Sequence, residues 1–292
     1  MSVTARDREL LVLVSRMRFM TIEHADTCVY DNRNVAQRRL ASLASDELLR
    51  SYASPSGRKG HPTKVYYPNP KERHKIAGIT GESYDEHHGR SGPPENITAA
   101  RHALEVNDVL AAMIAGAKAR NYSFSFMTEH LPSSSGRRFA GALEDEVQDP
   151  ANPRLSVRYQ RDAVCCIGTD RGKALFEIEY DRGKEAVDSD SRRKVTIRRK
   201  IEVFLQSLKE RRFERYSTPA FFNHPFKTSR MLLITTSAER VSNIASVCHQ
   251  LDTHGLVYLT TMDQILPETV LGSIWVVPEC GQAPVKALVG QP

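Results

Sequence analysis

Apolar positions in the first 50 residues recur at intervals of three and four. In "TARDRELLVLVSRMRFM", Thr4 is a candidate N-cap and Leu10, Leu13, Val14 and Met17 form one stripe, which predicts a helix. A second short helix from Thr21 sets Ile22, Ala25 and Cys28 on one side. After the polar break "YDNRN", a third helix, "VAQRRLASLASDELL", turns Ala36, Leu40 and Leu43 inward and leaves Asn34, Gln37, Arg38 and Ala41 on the opposite face. The period then changes. "LLRSYASPSGRKGHPTKVYYPNP" reads as two strands around a basic loop rich in Gly and Pro. Three short helices followed by a basic hairpin is the order of a winged helix-turn-helix. Amides and a guanidinium on an exposed helix face suit the reading of base edges, so Arg33, Asn34, Gln37 and Arg38 are candidate DNA contacts. Arg58, Lys59, His61 and Lys64 fall at the wing tip, where phosphate or the minor groove would lie.

Residues 79–95, "ITGESYDEHHGRSGPPE", are polar and rich in Gly and Pro, and they read as a linker between a first domain over 1–78 and a second over 96–292. His87 and His88 sit inside it, and a vicinal pair in a loop is more often solvated than metal-bound. From Ile97 a long helix carries Ala103, Val106, Leu110, Met113 and Ala117 along one stripe, with His102, Glu105 and Val109 beside it. "YSFSFMTEH" then reads as a strand and "LPSSSGRRFAGALEDEVQDPANPRL" as a long surface loop. "SRRKVTIRRKIEVFLQSLKERR" is helical, "RMLLITTS" is an apolar strand of a sheet covered on both faces, and further strands lie near "LVYLT" and "SIWVVP". This order predicts an α/β or α+β domain with a mixed sheet flanked by helices.

Within that domain, "YQRDAVCCIGTDRGKALFEIEYDRG" is a pair of strands with carboxylates where a sheet favours apolar residues. Alternation sets Glu177, Glu179 and Asp181 on one face and Phe176, Ile178 and Tyr180 on the other. A two-residue turn at Asp170-Arg171 would bring Asp162 opposite Glu179, with Cβ atoms roughly 5 Å apart. Such neighbours repel unless a cation lies between them. Magnesium or manganese, which favour carboxylate oxygen, would relieve the repulsion. A shift by one residue would turn Asp162 to the other face, and pairing of Asp162 with Arg158 or Arg161 is the simpler alternative.

Charge adds a partner class. The 292 residues carry a formal net charge of +6, and the basic residues concentrate in 33–75 and 192–215, which favours a polyanion such as double-stranded DNA. No apolar run approaches the roughly 18 to 20 residues of a membrane helix, and the charged N-terminus lacks a secretion signal, so no membrane partner and a cytoplasmic location are expected. The five cysteines show neither a CxxC pair nor zinc spacing. Cys165-Cys166 lies in an apolar strand, and no G-x-S-x-G, P-loop or G-x-G-x-x-G occurs, which speaks against a Cys or Ser hydrolase and against a nucleotide-driven motor.

The order "TARDRELL", "AQRRLASL", "KVYYPNP", "RHALEVNDV", "RDAV", "LFEIEYDRG" and "KIEVF" resembles the replication-relaxation family of plasmids and other mobile elements. The resemblance implies a winged helix joined to a domain with the PD-(D/E)XK restriction-endonuclease-like fold, and a role in plasmid replication, DNA relaxation or mobilisation. It implies that Asp162 matches the Asp of a Pro-Asp motif, with Arg161 in place of Pro, and that Glu179 and Asp181 match a Glu-x-Asp motif. Glu105 would be an additional acid on the first helix, and Lys200 the helical lysine of a Lys-x-x-x-aromatic pattern completed by Phe204. Asp162, Glu179, Lys200 and Glu105 are thus the candidate catalytic residues, and Asp162, Glu179 and Asp181 the candidate ligands of Mg2+ or Mn2+. The strand position where such nucleases carry Lys holds Asp181 here, or Glu179 if Glu177 is the first acid. Two functions follow: a DNA-binding protein of a mobile element that acts in replication, relaxation or regulation, or a metal-dependent endonuclease or nickase. A homodimer and other replication or transfer proteins are further partners compatible with either.

Overall fold

A computed structural model describes residues 3–54, 63–81, 97–128, 143–189, 195–279 and 285–289. The chain divides into two compact units, one built on Met1–Ala115 and the other on Gly116–Glu129 and Leu143–Pro292. The architecture is α+β with a mixed sheet flanked by helices.

The first unit starts with α1 (Ala5–Met17), held at its N-terminus by a capping box in which Thr4 Oγ1 accepts from the Asp7 amide and the Asp7 carboxylate accepts from the Thr4 amide. Leu10, Leu11, Val14 and Met17 are fully buried; Leu11 takes the place that the periodicity offered to Leu13, which is half-buried. Helix α2 (Ile22–Ala25) continues into a π turn, Asp26–Tyr30, whose Cys28, Val29 and Tyr30 are buried. After Asp31 in the left-handed region, Asn32 caps α3 (Arg33–Ser45) by accepting from the Val35 amide. Ala36, Leu40 and Leu43 are buried, the face that the sequence pattern selects.

Strands β1 (Leu49–Ser54) and β2 (Thr63–Pro68) pair antiparallel, and Met20 forms an antiparallel backbone bridge with Tyr66 of β2. Phe19, Val65, Tyr67 and Ala103 form an apolar cluster with Tyr52 at its edge. A short 3-10 turn, Pro70–Glu72, leads into α4 (Arg73–Thr80), which packs on α1. Helix α5 (Ile97–Ala119) groups with this unit as far as Ala115. The sequence reading placed the division ahead of this helix. Two polar ties account for the grouping: Asn107 Nδ2 donates to the carbonyls of Met17 and Phe19, and buried His24 Nε2 meets Asp108 Oδ1 at 2.7 Å.

The second unit is a seven-stranded sheet in the order β11-β10-β9-β8-β7-β6-β3, made from β3 (Ser123–Thr128), β6 (Ala163–Thr169), β7 (Gly172–Tyr180), β8 (Arg230–Thr235), β9 (Val257–Thr261), β10 (Trp275–Val276) and β11 (Val285–Lys286). The β7-β8 and β8-β9 pairs are parallel and the others antiparallel. Thr169 pairs with Gly172 and Ala163 with Ile178, so the turn is the two-residue Asp170-Arg171. Gly172 adopts φ 129°, a conformation that a side chain would strain, which is why this tight turn works without an Asn-Gly pair. A separate ribbon of β4 (Glu144–Asp149) and β5 (Asn152–Gln160) occupies part of the stretch expected as a loop. Helices α6 (Ile197–Lys209) and α7 (Ala238–Gln250) cover one face of the sheet. There Ile197, Ile201, Phe204, Met231, Leu233, Ile244 and Leu259 form the core with Val147 and Tyr159 of the ribbon.

Candidate functional site

Two surfaces follow from these elements, one in each unit. On α3 the residues that point outward are Asn34, Gln37, Arg38 and Ala41, spaced as one stripe. Neighbouring arginines are committed elsewhere. Arg33 is exposed and ion-paired to Glu23 of α2 at 2.8 Å. Arg39 turns inward, where its Nε donates to Asp7 Oδ1 at 2.8 Å and its Nη2 to Asp7 Oδ2, while the Tyr30 hydroxyl donates to the same carboxylate at 2.8 Å. Burial pushes the Asp7 carboxyl upward, but the bonds from Arg39, Thr4 and Tyr30 outweigh it and hold the group at about 2. A buried, fully bonded carboxylate thus fixes α1, the π turn and α3 to one another. Lys64 is exposed on β2, its ammonium 5.2 Å from the Tyr66 ring centre. Arg58, Lys59 and His61 of the wing tip, and His87 and His88 of the linker, lie outside the described residues.

On the sheet, the three acids of β7 and its extension each meet a different cation. Glu177 is 1% exposed and accepts from Arg161 Nε at 2.5 Å, Tyr159 Oη at 2.9 Å and Ser229 Oγ at 2.5 Å. Arg161, itself buried, reaches Asp145 Oδ2 with Nη1 at 2.7 Å and lies 4.2 Å from the Tyr159 ring centre; Arg215 bonds the other Asp145 oxygen at 2.6 Å. Glu179 is met by Lys200 Nζ at 2.5 Å, and the same ammonium lies 2.9 Å from Glu185 Oε2. Asp181 is bound by the Arg240 guanidinium, by Thr235 Oγ1 at 2.8 Å and by the Gly183 amide at 3.0 Å.

The register carries Asp162 to its expected place. Its amide donates to the Ile178 carbonyl at 3.2 Å, and its Oδ2 accepts from the Tyr180 amide at 2.8 Å, so it straddles the position opposite Glu179. Arg158 pairs with Glu144, and Arg161 with Glu177 and Asp145. Burial is the largest influence on Glu179 and the charge of Asp162 adds to it; against the opposing pull of Lys200 they lift its carboxyl to about 7. Lys200 is shifted the other way from what burial alone would do, because Glu179 and Glu185 favour its charged form.

Asp162, Glu179 and Lys200 therefore come together at the end of the hairpin. Asp181 faces Arg240, and among the described residues no three His, Cys, Asp or Glu side chains gather so as to hold a metal ion. Glu105 lies on α5 in the first unit, ion-paired to Arg101 at 3.1 Å. Sequence reasoning missed Glu185, Arg240, Asp145 and Arg215. Of these, Arg240 alone had a local signal, because it opens a helix just after an apolar strand whose end adjoins Asp181 in a parallel sheet.

The replication-relaxation family model matches residues 11–218, which is most of the chain. The chain belongs to the replication-relaxation family. In this member of the family the match takes in both surfaces: α3 with its hairpin, and Asp162, Glu179 and Lys200. No curated protein and no solved structure matches the chain. Among the described residues no helix is long and apolar enough to cross a membrane.

Proposed function

We propose that this replication-relaxation protein binds double-stranded DNA of a mobile element and acts in the replication, relaxation or mobilisation of that DNA. The first unit is read as a winged helix-turn-helix, with α3 in the major groove and the β1-β2 hairpin as the wing. The observation that carries this reading is the outward stripe of Asn34, Gln37 and Arg38 on a helix fixed from behind by the Asp7-Arg39 pair. Amides suit adenine and a guanidinium suits guanine, and a rigid helix presents them without an ordering cost. The second unit is read as a nuclease-like fold serving as a scaffold, because Glu177, Glu179 and Asp181 are each compensated by a cation of the chain itself. Arg38→Ala should weaken binding to the preferred site by about 1 to 3 kcal/mol in fluorescence anisotropy titrations and flatten its preference over random duplex. Unchanged affinity and preference would remove α3 as the reading helix.

A second reading has its own observation. Asp162, Glu179 and Lys200 converge, and two carboxylates are what a magnesium ion commonly takes from a protein, so the donor set fits such an ion in kind. When bound, the ion would supply Lewis acidity and an activated water. Asp162 and Glu179 would hold it, and Lys200 would stabilise charge on a scissile phosphate. Supercoiled plasmid incubated with magnesium or manganese separates the two: nicking by wild type and not by an Asp162→Ala, Glu179→Ala variant would establish the endonuclease. Equal inactivity with retained DNA binding is the result expected of a scaffold.

A further inference from the structure

Many arginines among the described residues are engaged in internal ion pairs: Arg33, Arg39, Arg101, Arg158, Arg161 and Arg240 each face a carboxylate. Helix α4 and the turn before it break that habit. Within "PKERHKIAGIT", Lys71, His74, Lys75 and Gly78 are exposed at the spacing of one helical stripe, while Ile76 is fully buried on the opposite side and α4 rests on α1. None of Lys71, His74 and Lys75 has an ion-pair partner among the described residues. Gly78 ends the stripe with open space where a side chain would stand, which leaves the backbone accessible. The stripe is also held in place. Asn69, 2% exposed, accepts from the Lys71 amide at 3.2 Å and donates to the Glu47 carbonyl at 2.6 Å, so the turn that carries Lys71 is tied to the end of α3.

We infer that Lys71, His74 and Lys75 form a second phosphate-contacting surface, which grips the sugar-phosphate backbone of the duplex without reading its sequence. This rests on the reading that the first unit binds duplex DNA. Charge complementarity names the occupant: three donors, with no acid on the stripe, suit a polyanion and nothing apolar. Spacing agrees, because four helical residues rise about 6 Å, enough for Lys71 and Lys75 to meet roughly two phosphates of a strand that carries a charge each 3.4 Å. The two basic surfaces then divide the work. Helix α3 supplies the preference for a site, and α4 supplies affinity that is blind to sequence and sensitive to salt.

The test uses the full chain and fluorescence anisotropy over a series of salt concentrations, with a duplex that wild type selects from a random pool and a random duplex beside it. In a Lys71→Ala, Lys75→Ala variant, affinity should fall by the same factor on both duplexes, and the slope of log K against log salt should drop by about 1.8, which is two phosphate contacts. A Lys71→Arg, Lys75→Arg variant should keep the wild-type slope, which separates lost charge from a damaged fold. If the alanine variant keeps both slope and affinity while Arg38→Ala loses the preference for the selected duplex, the α4 surface is refuted and the α3 reading stands. If wild type binds neither duplex, the reading of the first unit falls, and the α4 surface with it.

Discussion

Arg161 is among the largest fully buried side chains of the described residues. Its guanidinium spans Glu177 and Asp145 and lies on the Tyr159 ring, a geometry that needs a planar fork rather than a point charge. Removing it leaves Glu177 buried without its cation and Asp145 with Arg215 alone, so Arg161→Met should cost about 3 to 5 kcal/mol of unfolding free energy in urea denaturation. Arg161→Lys should recover little of it, whereas adding Glu177→Gln to Arg161→Met should recover part, because it removes the orphaned charge. A loss under 1 kcal/mol for Arg161→Met would show that the network carries little of the stability. Much of this residue-level pattern was illegible in the sequence. Alternation along β7 identified Glu177, Glu179 and Asp181 as one face, but a one-dimensional pattern cannot say which acid receives which cation. Arg161, at the end of the ribbon, and Arg240, on α7, meet acids 16 and 59 residues away in the chain, which only packing brings to them.

Local signals served best where the element is self-contained. The three helices and the hairpin of the first unit follow from caps, apolar spacing and a Gly-Pro loop, and the β6-β7 register follows from alternation with a two-residue turn. The π turn at Asp26–Tyr30 and the β4-β5 ribbon did not show, since the first departs from every simple period and the second is largely polar and exposed. Between elements, Asp7 joins α1 to α3 and the π turn, and this tie has a pH signature. Its carboxyl is held at about 2, below the ordinary 3.8, so the folded state gains from its ionised form. That gain is present above about pH 4 and is lost as the pH falls toward 2, a change of about 2 kcal/mol. Asp7→Asn should lower the melting temperature at pH 7 and flatten the acid limb between pH 4 and 2. If wild type and Asp7→Asn lose stability in parallel over that window, Asp7 is not a source of the acid sensitivity.

Across the whole molecule the decisive quantity is where charge is left uncompensated. The chain carries +6 overall, yet the acids of its β7 face are neutralised from within, while α3, Lys64 and α4 present cations to solvent. On the scaffold reading, a divalent ion at Asp162 and Glu179 would have to displace the Lys200 ammonium, which Glu179 and Glu185 hold. Binding to the folded state alone raises stability by RT ln(1 + [L]/Kd), about 2.7 kcal/mol when the ion is at 100 times its Kd, so thermal melting reports occupancy without any assay of cleavage. With Lys200 in place, millimolar magnesium or manganese should leave the melting temperature of wild type unchanged. Lys200→Ala removes the resident cation from beside two neighbouring carboxylates, and its melting temperature should then rise with manganese by several degrees. A Lys200→Ala, Glu179→Gln variant should lose that response, which assigns it to Glu179. The opposite pattern, a wild-type protein stabilised by magnesium and a Lys200→Ala protein indifferent to it, would mean that the lysine assists the ion rather than replacing it, and would turn the balance toward the endonuclease.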